Sequence, residues 1–196
     1  TESVVMLIGK VRAVYVNPEL GRDMTLKCEK MVIFLAPGVM EGLTSNGDIP
    51  ANAVRGVYLE DNAIISDGQF TVRAPRVYYD LATNRAILLE AVFYAWNPAL
   101  NIPLYMRADV MRQTSATTFE AKNATLTNSE FFQPHLAIRS KRLTVKQTHS
   151  SLAASGAGGS GSGTSGGGEA VYTVQGTGNT LRYNDKPFFW LPWLAG

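Results

Sequence analysis

The sequence predicts an all-β fold: a folded-over stack of short antiparallel strands around an apolar lumen. Three observations predict it. Apolar and polar residues alternate, as in Phe70-Thr71-Val72-Arg73-Ala74, Arg139 to Val145 and Val171 to Val174, which is the period of a half-buried strand. Turn signals recur at short intervals, at Asn17-Pro18, Ala36-Pro37-Gly38, Asn46-Gly47-Asp48, Asp67-Gly68, Asn97-Pro98 and Asn184-Asp185, the punctuation of a sandwich, barrel or solenoid. The strands also repeat one another.

Taken in chain order, the first clear copy of the repeat is Met24-Thr-Leu-Lys-Cys-Glu-Lys-Met-Val-Ile-Phe34, and the second is Phe70-Thr-Val-Arg-Ala-Pro-Arg-Val-Tyr-Tyr-Asp80. Leu81 to Ala95 is the best helical candidate, but its β-branched and aromatic run lacks a helical stripe, and it reads as strand. Leu104-Tyr-Met-Arg-Ala-Asp-Val-Met111 and Leu136-Ala-Ile-Arg-Ser-Lys-Arg-Leu-Thr-Val145 are the third and fourth copies. Thr180-Leu-Arg-Tyr183 offers Arg182 as a fifth, displaced by a Gly/Ser insertion. The basic residues Lys27, Arg73, Arg107 and Arg139 are 46, 34 and 32 positions apart. Such spacings mark units that bury a face only by stacking on their neighbours.

The motif has a physical reading. Period two sets Leu26, Val72, Met106 and Ile138 on one face and the basic residues on the other. Cys28, Ala74, Ala108 and Ser140 share the apolar face but are small, which suits a sharp bend or a place where two sheets approach closely. A two-residue step then shifts the phase, as a bulge or corner does, and Met31, Val77, Met111 and Leu143 return inward. With Ile33, Phe70, Tyr79 and Leu104, these apolar residues are the candidate lining of an apolar groove, or alternatively plain core. The basic row could contact sugar phosphates; the plainer reading is a solvated face with snorkelling stems. Cys28 reads as a packing residue.

Composition bounds the rest. The chain has 196 residues, 45% hydrophobic and 17% charged, one cysteine and a net charge of +2. A chain this long can bury about 70% of its unfolded surface. A lone Cys28 forms no internal bridge, no apolar run reaches the roughly 18 residues of a bilayer-spanning helix, and no signal peptide opens the numbering. The small, evenly spread charge gives no reason to expect a nucleic-acid partner. The expected organisation is residues 1–151 as repeats, 152–170 as a flexible insertion, and 171–196 as final strands. Gly156 to Gly168 holds eight glycines in thirteen residues, too little apolar surface to order itself. Its accidental G-x-G-x-x-G (Gly161, Gly163, Gly166) and G-x-S-x-G (Gly163, Ser165, Gly167) lack the strand–turn–helix that gives such motifs their chemistry.

The repeat, above all Asn123-Ala-Thr-Leu-Thr through Pro134-His-Leu-Ala-Ile-Arg-Ser-Lys-Arg-Leu-Thr-Val145, resembles the N-terminal domain of the LPS-assembly protein LptD family, also called organic solvent tolerance protein A. Asn179-Thr-Leu-Arg-Tyr-Asn-Asp-Lys-Pro-Phe-Phe-Trp-Leu-Pro-Trp-Leu194 looks like the segment that precedes that family's outer-membrane barrel. Tyr58 to Met111 matches at the level of the repeat, and Val4 to Phe34 resembles the repeats of the related LptA and LptC. The resemblance implies an LptA/LptD-like β-jellyroll in the periplasm, associated with the outer membrane. It implies lipopolysaccharide or a related glycolipid as cargo, its acyl chains shielded in the groove. It implies as partners other LptA-like jellyroll domains, joined by edge-strand addition, and an outer-membrane barrel or its lipoprotein partner. The family usually carries a Cys near the Thr-Leu-Thr stretch; Thr127 and Asn128 stand there instead.

No constellation calls for catalysis, a metal or another cofactor. His135 and His149 have no Cys or carboxylate cluster near them in the sequence, whereas a zinc site needs about four ligands at recognisable spacing. Glu60, Asp61, Asp80 and Glu90 fall at turns or outward positions, where solvated charge is the default. Asn123-Ala-Thr125 fits a glycosylation sequon by accident. Phe188, Phe189, Trp190, Leu191, Trp193 and Leu194 either cap the stack or mark the junction to a barrel, and Pro187 and Pro192 confine them to an edge. A scaffold that carries no lipid is the alternative function, and a carbohydrate-active solenoid enzyme ranks last for want of clustered carboxylates.

Overall fold

A computed structural model describes residues 3–17, 22–39, 49, 53–68, 70–97, 101–115, 117–149 and 170–195. Runs of β-branched and aromatic residues become ten strands: β1 Ser3–Asn17, β2 Arg22–Leu35, β3 Val54–Ser66, β4 Phe70–Asp80, β5 Arg85–Asn97, β6 Ile102–Ser115, β7 Thr118–Thr127, β8 Leu136–His149, β9 Ala170–Tyr183 and β10 Lys186–Ala195. They form one antiparallel sheet in chain order, with β1 and β10 at its open edges. The connections are short where left-handed residues allow it. Asn184 and Asp185 both have positive φ, as a two-residue hairpin turn matching the twist of β9 and β10 requires. Asp80 caps the turn before β5, its Oδ1 accepting from the amides of Ala82 and Thr83. Of the strand expected over Leu81 to Ala95, the part from Arg85 on is β5, while Leu81 to Asn84 form the turn before it. The Gly/Ser insertion and the turns at Asn46-Gly47-Asp48, Pro18 and Pro98 lie outside the described residues.

The phase shift occurs at the same level in every copy of the motif. Cys28, Ala74, Ala108 and Ser140 are buried, the two residues after each face outward, and Met31, Val77, Met111 and Leu143 are buried again. Each odd strand from β3 to β7 answers with a left-handed residue: Asp61 and Asn62 in β3, Glu90 in β5, Asn123 in β7. Small residues meet across this line, with Ala63 opposite Ala74, Ala91 opposite Ala108 and Ala124 opposite Ser140. Register slips there too, between Lys27 and Lys30 and between Glu60 and Ala63, as bulges produce.

The line of small residues is a crease. Phe119 lies in the same cross-strand row as Gln113, Ala86 and Tyr79, so it is level with the far end of β4 from Phe70. Along a flat sheet nine residues separate those levels by roughly 30 Å. The rings of Phe70 and Phe119 are instead 5.7 Å apart, and both contact Phe93. The sheet is therefore folded over on itself, and its two halves enclose a single core from Met24 to Val145.

Candidate functional site

The candidate lining residues all face this interior. Leu26, Met31, Ile33, Phe70, Val72, Val77, Tyr79, Met106, Met111 and Leu143 are buried, while Leu104 and Ile138 are half-buried. In the middle of the sheet they pack against one another, and Tyr79 also donates from its hydroxyl to Asn84 Oδ1. Toward the ends the interior opens. Met106, Leu126, Ile138, Leu181 and Phe189 form one inward row across β6 to β10. Met106 is 0% exposed, the next three are half-buried and Phe189 is 55% exposed. Leu136 and Tyr183, paired one step along the strands, are exposed as well. At the other edge Leu7 pairs with fully buried Met31 yet is itself exposed. The interior is closed at its centre and unfinished at both edges, because among the described residues no further strand covers β1 or β10.

The outward row is equally continuous. Lys27, Ile64, Arg73, Val92, Arg107, Thr125, Arg139, Thr180 and Trp190 are successive register partners from β2 to β10. The even strands from β2 to β8 thus carry the basic residue, as the spacing of the motif implies, and β10 carries Trp190 in its place. Arg182 does not join them: it pairs with Ala137, two residues from the row, and turns to Asp185, whose side chain and carbonyl both accept from its guanidinium. Lys30 binds Asp61 at 3.0 Å and lies 3.9 Å from Glu60. Its hydrogen bond to Asp61, with the charges of both carboxylates, raises its pKa.

Sequence reasoning missed two features. One is the answering half of the repeat, visible afterwards as Leu59-Glu-Asp-Asn-Ala63, Leu88-Leu-Glu-Ala91 and Ala121-Lys-Asn-Ala124: a buried apolar residue, two or three outward residues that include the left-handed one, then Ala. The other is a buried polar joint where the crease reaches β9. Asn179 is 0% exposed; its Oδ1 accepts from Ser140 Oγ at 2.7 Å and its Nδ2 donates to the Gly176 carbonyl at 2.9 Å. A Cβ on Gly176 would lie 2.5 Å from that Oδ1, so glycine is required by proximity. Cys28 sits on the crease, 5% exposed, and burial pushes its thiol pKa up. His135 Nδ1 lies 2.6 Å from Asn184 Oδ1 and joins two loops; the side chain of His149 lies outside the described residues. Among the described residues no group of three or more His, Cys, Asp or Glu side chains could hold a metal ion, and no helix is long and apolar enough to cross a membrane.

No family model matches the chain, and no curated protein matches it.

Proposed function

We propose that the chain is a lipid-binding conduit module of the lipopolysaccharide transport and outer-membrane assembly bridge, an LptA/LptD-like β-jellyroll working in the periplasm without turnover chemistry. The inward apolar row whose exposure rises from Met106 to Phe189 carries this reading. An apolar interior that is unfinished at both edges suits a unit completed by its neighbours. Acyl chains would enter where Leu136, Tyr183 and Phe189 are exposed and would lie against Ile138, Leu181 and Leu126. The strand count favours such stacking: with ten antiparallel strands, β1 and β10 run in opposite directions. A translated neighbour then adds β1 beside β10 in the same antiparallel alternation, through the unpaired backbone groups of the edges.

The tight packing of Val72, Met106 and Met111, each 3% exposed or less, favours a second reading, a scaffold that stacks in the same way and carries no lipid. A photo-crosslinking residue separates the two. It is placed at inward Phe189 and Ile138, and separately at outward Trp190 and Arg139, and the purified protein is illuminated with lipopolysaccharide. Adducts at the inward pair alone support the conduit. Adducts at neither pair, in a protein that retains its fold, support the scaffold.

A further inference from the structure

The face of the sheet away from the interior carries a hollow that neither lipid carriage nor stacking explains. Residues 128–135 double back across it, and Arg107 Nη2 donates to the Glu130 carbonyl at 2.6 Å. Beneath them is a cleft of about 800 Å³, floored by Arg73, Tyr94, Tyr105 and Arg107 and walled by Phe131 and Phe132. That is the size of an ordinary small-molecule site. Four of these residues are aromatic. Tyr94 and Tyr105 pair at 5.0 Å, and Phe132 is 84% exposed on a short loop. The two cations are underused: Arg73 is exposed and makes no ion pair among the described residues, and Arg107 Nη1 is buried without a hydrogen-bond partner.

Aromatic faces stack on the C–H faces of pyranose rings, and guanidinium forks match phosphate oxygens. Glu130 also lines the cleft; its carboxylate would repel a bare anion but can accept from sugar hydroxyls. We propose that this cleft is a separate binding site for a phosphorylated saccharide, free or as the headgroup of a lipid. It lies on the opposite face from the acyl-chain interior and stands whether or not that interior carries lipid.

The test titrates isotope-labelled protein with N,N′-diacetylchitobiose 1-phosphate, followed by ring and guanidinium resonances. We expect shifts at Tyr94, Tyr105, Phe131, Phe132 and Arg73, and at least a tenfold loss of affinity in Arg73→Gln and in Phe132→Ala. Both side chains are exposed, so both variants should keep the fold. Shifts absent from the cleft overturn the proposal. So does equal binding of unphosphorylated chitobiose or of inorganic phosphate alone, or tighter binding of a thymidine decanucleotide. A parallel arm uses the same phosphorylated disaccharide carrying acyl chains in micelles: equal affinity through the cleft assigns a free sugar phosphate, tighter binding through the cleft a lipid headgroup, and either sustains the site.

Discussion

Asn179 is the residue on which the end of the crease depends. It fills the space left by Gly176 and satisfies Ser140 Oγ and a buried carbonyl at once. Removing one member strands the other, and an unsatisfied buried polar group costs about 1–3 kcal/mol. Ser140→Ala should therefore lower the free energy of urea unfolding by about 1 kcal/mol, and Asn179→Ala by about 3 kcal/mol, since it strands two groups. Equal losses would mean that the bond from Asn179 to the Gly176 carbonyl adds nothing to the one shared with Ser140. Cys28 makes a prediction with a definite sign. Its folded pKa is raised, first by burial and then by the charge of Glu29, against a backbone hydrogen bond that lowers it. Above the unfolded thiol pKa the unfolded chain releases a proton that the folded chain retains, so this contribution to stability falls as pH rises. Unfolding midpoints of the wild type and Cys28→Ala, compared between pH 7 and pH 10, should differ by a gap that moves against the wild type as pH rises.

At the scale of elements, the crease is made by opposite devices in alternating strands. Even strands use a small residue and a two-residue step; β3, β5 and β7 use left-handed residues, and Glu90 in β5 is the costly choice. It holds φ 49° with no help from a short polar side chain, a conformation that costs a non-glycine residue about 1 kcal/mol. Glu90 is exposed, so Glu90→Gly should stabilise the fold by about 1 kcal/mol, a rise of roughly 2–4 °C in Tm for a domain this size. A fall in Tm would mean that the carboxylate is held by contacts that offset the strain. The even strands were legible in the sequence because their basic residue and small residue stand at fixed offsets, so Lys27, Arg73, Arg107 and Arg139 could be aligned directly. The odd strands were not, because Asp61, Asn62, Glu90 and Asn123 look like ordinary outward polar residues until their φ is known. The cleft under Phe131 and Phe132 was hidden for another reason: it depends on residues 128–135 returning to β6, a contact between positions 23 apart that no periodicity encodes.

For the whole molecule, the edges decide what the protein can join. The sheet ends in β1 and β10, and exposed apolar residues lie on both faces of each: Leu7 inward and Met6 and Ile8 outward on β1, Phe189 inward and Trp190 and Trp193 outward on β10. Long edges rich in exposed apolar residues are templates for pairing, and the charges on these two strands, Lys10 and Arg12 on β1 and Lys186 on β10, leave those apolar residues open. Translational stacking buries Leu7 and Phe189 beneath the neighbour's interior, where a lysine would be an unpaired buried charge. Both residues are exposed in the single chain, so Leu7→Lys and Phe189→Lys should fold yet fail to associate in sedimentation velocity. Their mixture separates the possible geometries. Leu7→Lys keeps an intact β10 and Phe189→Lys an intact β1, so stacking head to tail predicts that mixing the two monomers yields dimers that grow no further. If copies paired β1 to β1, Phe189→Lys alone would dimerise and mixing would add nothing; if they paired β10 to β10, the same would hold for Leu7→Lys. Dimers that appear only on mixing would establish the head-to-tail order that a continuous apolar conduit needs.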